Sequence, residues 1–208
     1  MLYFSSILKT NPKYKPAAEK IFRALFVSGI HYKLLDNTKD IWLRDYMPVK
    51  TKSGKYISFL YKPSYLKNYD ELRTDFRNEV APNLALENLV FSDINLDGGN
   101  VAFSPSKEKV IISDRVYSEN PSWHKTELTA KLAKLLEANV IIIPSLKSDM
   151  TGHADGMVRF VNENTVVANA PLSPFGFEAK VKKALQNYGF NVIDLSLIHI
   201  SEPTRLDV

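Results

Sequence analysis

From Val101 the chain passes through two short apolar segments, an amphipathic stretch and a third apolar segment: "VAF", "KVIIS", "SWHKTELTAKLAKLLEA" and "NVIIIP". From Met157 the series returns as "MVRFV", "TVVANA", "PFGFEAKVKKALQNYG" and "FNVIDL". Leu128, Leu132, Leu135 and Leu136 recur at helical spacing in the first amphipathic stretch, as do Val181, Ala184 and Leu185 in the second. The Val/Ile runs are too short for helices and read as strands. Upstream, "YMPVKT", "KYISFLYK", "YDELRTDFRNEVAPNLA" and "LVFSDINL" repeat the order, and "PAAEKIFRALFVSGI" with "HYKLLDN" supplies the end of one unit more. A strand-strand-helix-strand unit with a period of about 55 residues constrains the fold more than any other feature.

The pattern predicts an α/β fold of stacked ββαβ units, each helix covering its own small sheet. Helices are expected near 16–29, 68–84, 122–137 and 174–188. Turn signals "KSG", "SPSKEK" and "NEN" separate the paired strands as hairpins require. No interdomain linker interrupts the pattern, so one domain is expected over residues 1–194. At 208 residues and 45% apolar content the chain can bury a substantial core. Its 27 basic and 23 acidic residues are interspersed, which argues against nucleic-acid binding. No apolar run is long enough for a membrane span and the N-terminus is too polar for a secretory signal, so a cytoplasmic protein is expected.

Each unit ends in a loop that carries acidic residues: "NTKDIWLRDYMP", "SDINLDGGN" and "KSDMTGHADGMVRF". Asp45, Asp97 and Asp155 thereby hold equivalent places, 52 and 58 residues apart. Units arranged about an axis would bring the three carboxylates to one place. With His153, the indole of Trp42 and the glycine pair Gly98 and Gly99, they would make an anionic, partly apolar pocket. A guanidinium, planar and with its donors in a fork, suits paired carboxylates, and an aromatic ring can cover it. His153, Asp155 and Asp97 could in principle hold a divalent ion, but Arg44 and Arg159 flank the carboxylates and oppose a doubly charged cation. No metal and no cofactor is expected. His124, beside Trp123 at a helix start, reads as structural.

The stretches "DIWLRDYMPV", "LDGGN" and "GHADGMVRF" resemble, in order, the W-x-R-D-x-x-P, [ED]-G-G-N and G-H-x-D-x-x-x-R-F segments of the agmatine deiminase and bacterial peptidylarginine deiminase family of guanidine-modifying enzymes. The resemblance extends from about Tyr3 to Asp194 and implies a five-bladed α/β propeller of ββαβ units, of which this chain would supply an incomplete set. It also implies that Asp45 and Asp155 bind the substrate guanidinium, with Asp97 at the family's Asp or Glu position. His153 would be general acid and base. Arg44, Arg159, Gly98, Gly99 and Asn100 would support them. In the family a C-terminal cysteine attacks the guanidinium carbon. The histidine protonates the departing ammonia, and water that it then deprotonates hydrolyses the thiouronium.

This chain contains no cysteine. The resemblance implies deimination of agmatine or of an arginine side chain to the ureido product as the family reaction, and without the cysteine this polypeptide is expected to be inactive. The alternative is a non-catalytic module that captures guanidinium or polyamine ligands. Amidinotransfer needs the same cysteine and is disfavoured by the motif set. Finally, "LSLIHISEPTR" at 195–205 looks like the in-frame translation of a transposase adapter used in sequencing libraries, so 195–208 is expected to be a non-native tail and His199 to have no role. A propeller left open would expose strand edges, giving a marginally stable or aggregating chain.

Overall fold

A computed structural model of the chain describes residues 1–195, and packing groups them into two compact units. The first comprises residues 1–50 and 54–98, the second 51–53 and those from 99 onward. All but the first residue of the expected 195–208 tail lies outside the described residues.

The first unit begins with β1 (Leu2–Ser5), the short α1 (Ile7–Thr10), α2 (Lys15–Val27) and β2 (Tyr32–Leu35). β1 and β2 pair in parallel, and α2 buries Ala18 and Phe22. Phe22 stacks on Tyr32 at 4.6 Å and meets Phe4 edge-on at 5.5 Å. Next come a single turn, α3 (Leu43–Tyr46), and the strands β3 (Val49–Lys50), β4 (Tyr56–Leu60) and β5 (Leu89–Asn95). β3 and β4 form the expected hairpin, and β5 pairs with β4 in parallel.

The expected helix over 68–84 does not form. The segment instead makes 3-10 turns at Asp70–Leu72 and Ala81–Asn83 around a single π turn, Phe76–Val80. Local chemistry explains the failure. The Asn78 N–H donates to the Asp75 side chain while the Asp75 N–H donates to Glu79, a reciprocal cap that starts a helix at residue 76. Pro82 lies only six residues beyond and lacks the N–H that a continuing α-helix would donate to the Asn78 carbonyl, so the chain passes into the 3-10 turn at Ala81–Asn83. One turn is all that fits. Phe76 and Val80 still reach the core, beside Leu35, Leu43, Tyr46 and Tyr61.

The second unit repeats the pattern twice. β6 (Ala102–Phe103) and β7 (Lys109–Ser113) form a hairpin, followed by α4 (Arg115–Glu119), α5 (Lys125–Leu136) and β8 (Asn139–Ile143), parallel to β7. β9 (Val158–Phe160) and β10 (Thr165–Asn169) form the next hairpin, and α6 (Phe177–Asn187) leads to β11 (Asn191–Leu195), parallel to β10. The helical periodicities hold: Leu128, Leu132 and Leu136 are fully buried on α5, and Val181 and Leu185 are buried on α6. Burying each such leucine contributes about 1.5–3 kcal/mol. α6 packs on β8 as well as on β10 and β11, so Ile111, Ile141, Ile143, Val166 and Leu185 share one core. At the hairpin ends Ser106 donates from N–H and Oγ to Glu163, while Lys109 Nζ donates to the Glu163 carbonyl. The three-stranded sheets are separate, each with one antiparallel and one parallel pair. The ββαβ repeat is thus present, with one helix replaced by turns.

Candidate functional site

Of the ten residues singled out from sequence, Trp42, Arg44, Asp45, Asp97 and Gly98 belong to the first unit, and Gly99, Asn100, His153, Asp155 and Arg159 to the second. Each set is built by its own local structure.

In the first unit, Asp40 starts the site. Its Oδ1 accepts from the Trp42 N–H at 2.8 Å, an Asx turn that swings the chain into α3. Trp42 is 64% exposed, so its indole is available to cover a ligand instead of filling the core. Arg44 and Asp45 lie on α3. The main chain of Arg44, beyond any role of its side chain, shapes the loop: a Cβ on Gly98 would fall 2.0 Å from the Arg44 carbonyl oxygen. Only glycine permits that approach. Asp97, one residue earlier, is 8% exposed, and its Oδ2 accepts from the Tyr65 hydroxyl at 3.0 Å.

Three phenols surround this acidic cluster. Burial, and then the charge of Asp40, pushes the Tyr46 hydroxyl up; its O–H donates to the Asp40 carbonyl at 3.1 Å. Burial likewise raises Tyr61, with the charges of Asp40, Asp97 and Asp45 adding to it. Tyr65 is raised by burial first and by Asp97 second. All three phenols therefore stay protonated. Burial also pushes the Asp40 carboxyl above the ordinary carboxylate range, against the lowering effect of the Trp42 N–H. Asp40, Tyr46, Tyr61 and Tyr65 lie outside the motif positions. The only signal for Tyr65 was its place in "YKPSY", after a strand and before the segment misread as helix.

In the second unit the histidine is held through the backbone on both sides. Gly152 adopts φ +59°, a left-handed conformation suited to glycine. Its carbonyl accepts from the Ser113 Oγ at 2.6 Å, and Ser113 is fully buried at the end of β7. On the other side of His153 the Ala154 N–H donates to Asn100 Oδ1 at 3.1 Å. The same oxygen accepts from the Ser113 N–H at 2.8 Å. Asn100 thus ties the histidine loop to β7, a role for the N of "LDGGN" that spacing could not show. His153 itself is 8% exposed.

Asp149 closes the loop. Burial would raise its carboxyl, but the Gly152 and Thr151 N–H groups, the Thr151 hydroxyl and His153 outweigh that and hold it below the ordinary range. Asp155 is partly exposed, and Arg159 Nη2 lies 4.0 Å from its Oδ2 with the Arg159 side chain 64% exposed. That long, solvated pair orients Asp155 weakly.

Among the described residues no group of three or more His, Asp or Glu side chains is arranged to hold a metal ion. Nor, among them, is any helix long and apolar enough to cross a membrane.

Comparison with known proteins agrees with the family resemblance. The family model for Porphyromonas-type peptidyl-arginine deiminase matches residues 7–188. No curated protein matches the chain. Among solved structures, C. jejuni agmatine deiminase superposes with a TM-score of 0.68 at 19% identity, covering 93% of this chain and 69% of that one. Agmatine deiminase of Enterococcus faecalis gives 0.61 at 18% identity, covering 86% of this chain and 56% of its own. A dimethylarginine dimethylaminohydrolase gives 0.57 at 14% identity, with 95% and 77% covered. The chain therefore spans little more than half to about three quarters of these structures, and the likeness is one of fold.

Proposed function

Because the chain belongs to the Porphyromonas-type peptidyl-arginine deiminase family, we propose that it binds the guanidinium group of agmatine or of an arginine side chain, as part of a deiminase built as a five-bladed propeller. The observation that carries this reading is the acidic cluster of the first unit. Asp97 is nearly buried and hydrogen-bonded to a phenol, with the charges of Asp45 and Asp40 close enough to raise Tyr61. A cation is the natural guest of such a cluster, and the exposed Trp42 indole offers a face for its planar group.

Asp45, Asp97 and Asp155 are the carboxylates assigned to the cation. His153 is assigned to proton transfer: it would protonate the departing ammonia, then deprotonate the water that releases the ureido product. Its backbone clamp supports that assignment, since a general acid must hold its place through both steps. The attacking group of the family is a cysteine, and these 208 residues contain none. Turnover by that route needs a thiolate, which these residues do not provide. This supports a chain that alone captures guanidinium ligands without turning them over.

Calorimetry and an ammonia assay test both parts. Agmatine or benzoyl-arginine amide should bind, Asp97→Ala and Asp155→Ala should abolish the heat, and no ammonia should be released. A folded chain that gives no heat with either ligand would overturn the binding reading. Ammonia release above background would overturn the inactivity.

A further inference from the structure

Asp97 is held by more than its own loop. Two residues earlier, at the end of β5, the side-chain amide of Asn95 accepts from the Lys62 N–H at 2.9 Å and donates to the Lys62 carbonyl at 2.8 Å. Where the β4–β5 register becomes irregular, this amide substitutes for a backbone rung and fixes the segment beyond β4. Pro63 then starts a 3-10 turn, Ser64–Leu66, which carries Tyr65. Asn95, the last residue of β5, and Asp97, two residues beyond it, thus engage Lys62 and Tyr65 on the facing segment.

We propose that Tyr65 is the positioning residue of the guanidinium site: its hydroxyl donates to Asp97 Oδ2 and fixes the carboxylate that receives the cation. The proposal rests on the reading of Asp97 as a guanidinium ligand. The main chain at Asp97 is already set by the approach of Gly98 to the Arg44 carbonyl, but an aspartate on a fixed backbone still has side-chain rotamers to choose between. A phenol on a rigid ring, anchored through the Lys62–Asn95 rung, removes that choice before the ligand arrives.

Tyr65 has one proton, and it is committed to the Asp97 carboxylate. Tyr61 is buried, with its ring centroid 5.7 Å from that of Tyr46. Burial and then the neighbouring Asp97 charge push the Tyr65 phenol up, which keeps it a donor to the carboxylate.

The test compares agmatine binding to the wild-type chain, Tyr65→Phe and Asp97→Asn by calorimetry, with circular dichroism to establish folding. Tyr65→Phe keeps the ring and removes only the hydroxyl; it should weaken binding about tenfold, the worth of one hydrogen bond to a charged group. Asp97→Asn should abolish binding. If Asp97→Asn binds as the wild type does, or the wild type gives no heat, the guanidinium reading fails and the proposal fails with it. If Asp97→Asn loses binding while Tyr65→Phe keeps full affinity, only the positioning role is overturned. A spectroscopic readout separates positioning from mere packing. The ¹³Cζ resonance of Tyr65, assigned by its loss in Tyr65→Phe, should shift when agmatine binds the wild-type chain and also in Asp97→Ala. Should Tyr65→Phe not fold, selective labelling of position 65 gives the same readout, and a resonance that stays still in both cases overturns the proposal.

Discussion

Replacing Asn100 with alanine isolates the tie between the histidine loop and β7. Its Oδ1 accepts from the N–H groups of Ser113 and Ala154, both fully buried residues. Alanine leaves those two donors without the acceptor that fixes them, and each buried orphan costs about 1–3 kcal/mol. The weaker donation from Nδ2 to the Ser113 carbonyl, at 3.5 Å, adds little. A total near 4 kcal/mol follows, equivalent to a fall of about 8–16 °C in Tm for a chain of this size. Urea unfolding followed by circular dichroism measures the loss, and hydrogen exchange at the Ala154 amide locates it. Asn100→Asp provides the control. Asn100 is buried, so an ionised carboxylate there would be desolvated, whereas the protonated acid restores one acceptor and one donor, and that variant should gain stability as pH falls. A loss below about 1 kcal/mol for Asn100→Ala, or unchanged protection at Ala154, would refute the clamp.

Two further outcomes are expected. Gly98→Ala places a Cβ 2.0 Å from a backbone oxygen that no side-chain rotation can relieve, so α3 must shift; a destabilisation of about 2–3 kcal/mol and a change in Trp42 fluorescence are expected, and a neutral substitution would contradict the close approach. Asp40 has a carboxyl raised by burial, so in the folded state it holds its proton to higher pH than in the unfolded one. Its contribution therefore falls as pH rises from the ordinary carboxylate range through the folded value, and Asp40→Asn, which keeps the acceptor for the Trp42 N–H, should stabilise the chain at pH 7 and flatten that dependence in denaturation midpoints between pH 3 and 7.

The sequence by itself determined the repeat. Apolar runs of three to six residues, turn signals and two leucine- and valine-marked helices are local properties, and β6 through β11 with α5 and α6 follow them closely. It also determined the family, since three ordered motifs are written in residue types: His153 and Asp97 were named from their motifs alone. Chemical exclusion was equally legible, because a chain without cysteine has no thiolate whatever its fold.

What tertiary structure decided is how those residues are held. The 68–84 segment has enough apolar periodicity for a helix, yet the cap at Asp75 and the proline at 82 leave one turn between them, and the core accepts Phe76 and Val80 on it all the same. Gly98 is required by a carbonyl 54 residues away in the chain, and Asn100 by an amide equally remote. Tyr65 earns its place only through Asp97, a contact across 32 residues that no local pattern encodes. Hydrophobic period is a property of neighbours in sequence and can be read there; a buried hydrogen bond is a property of neighbours in space, which exist only once the chain has folded.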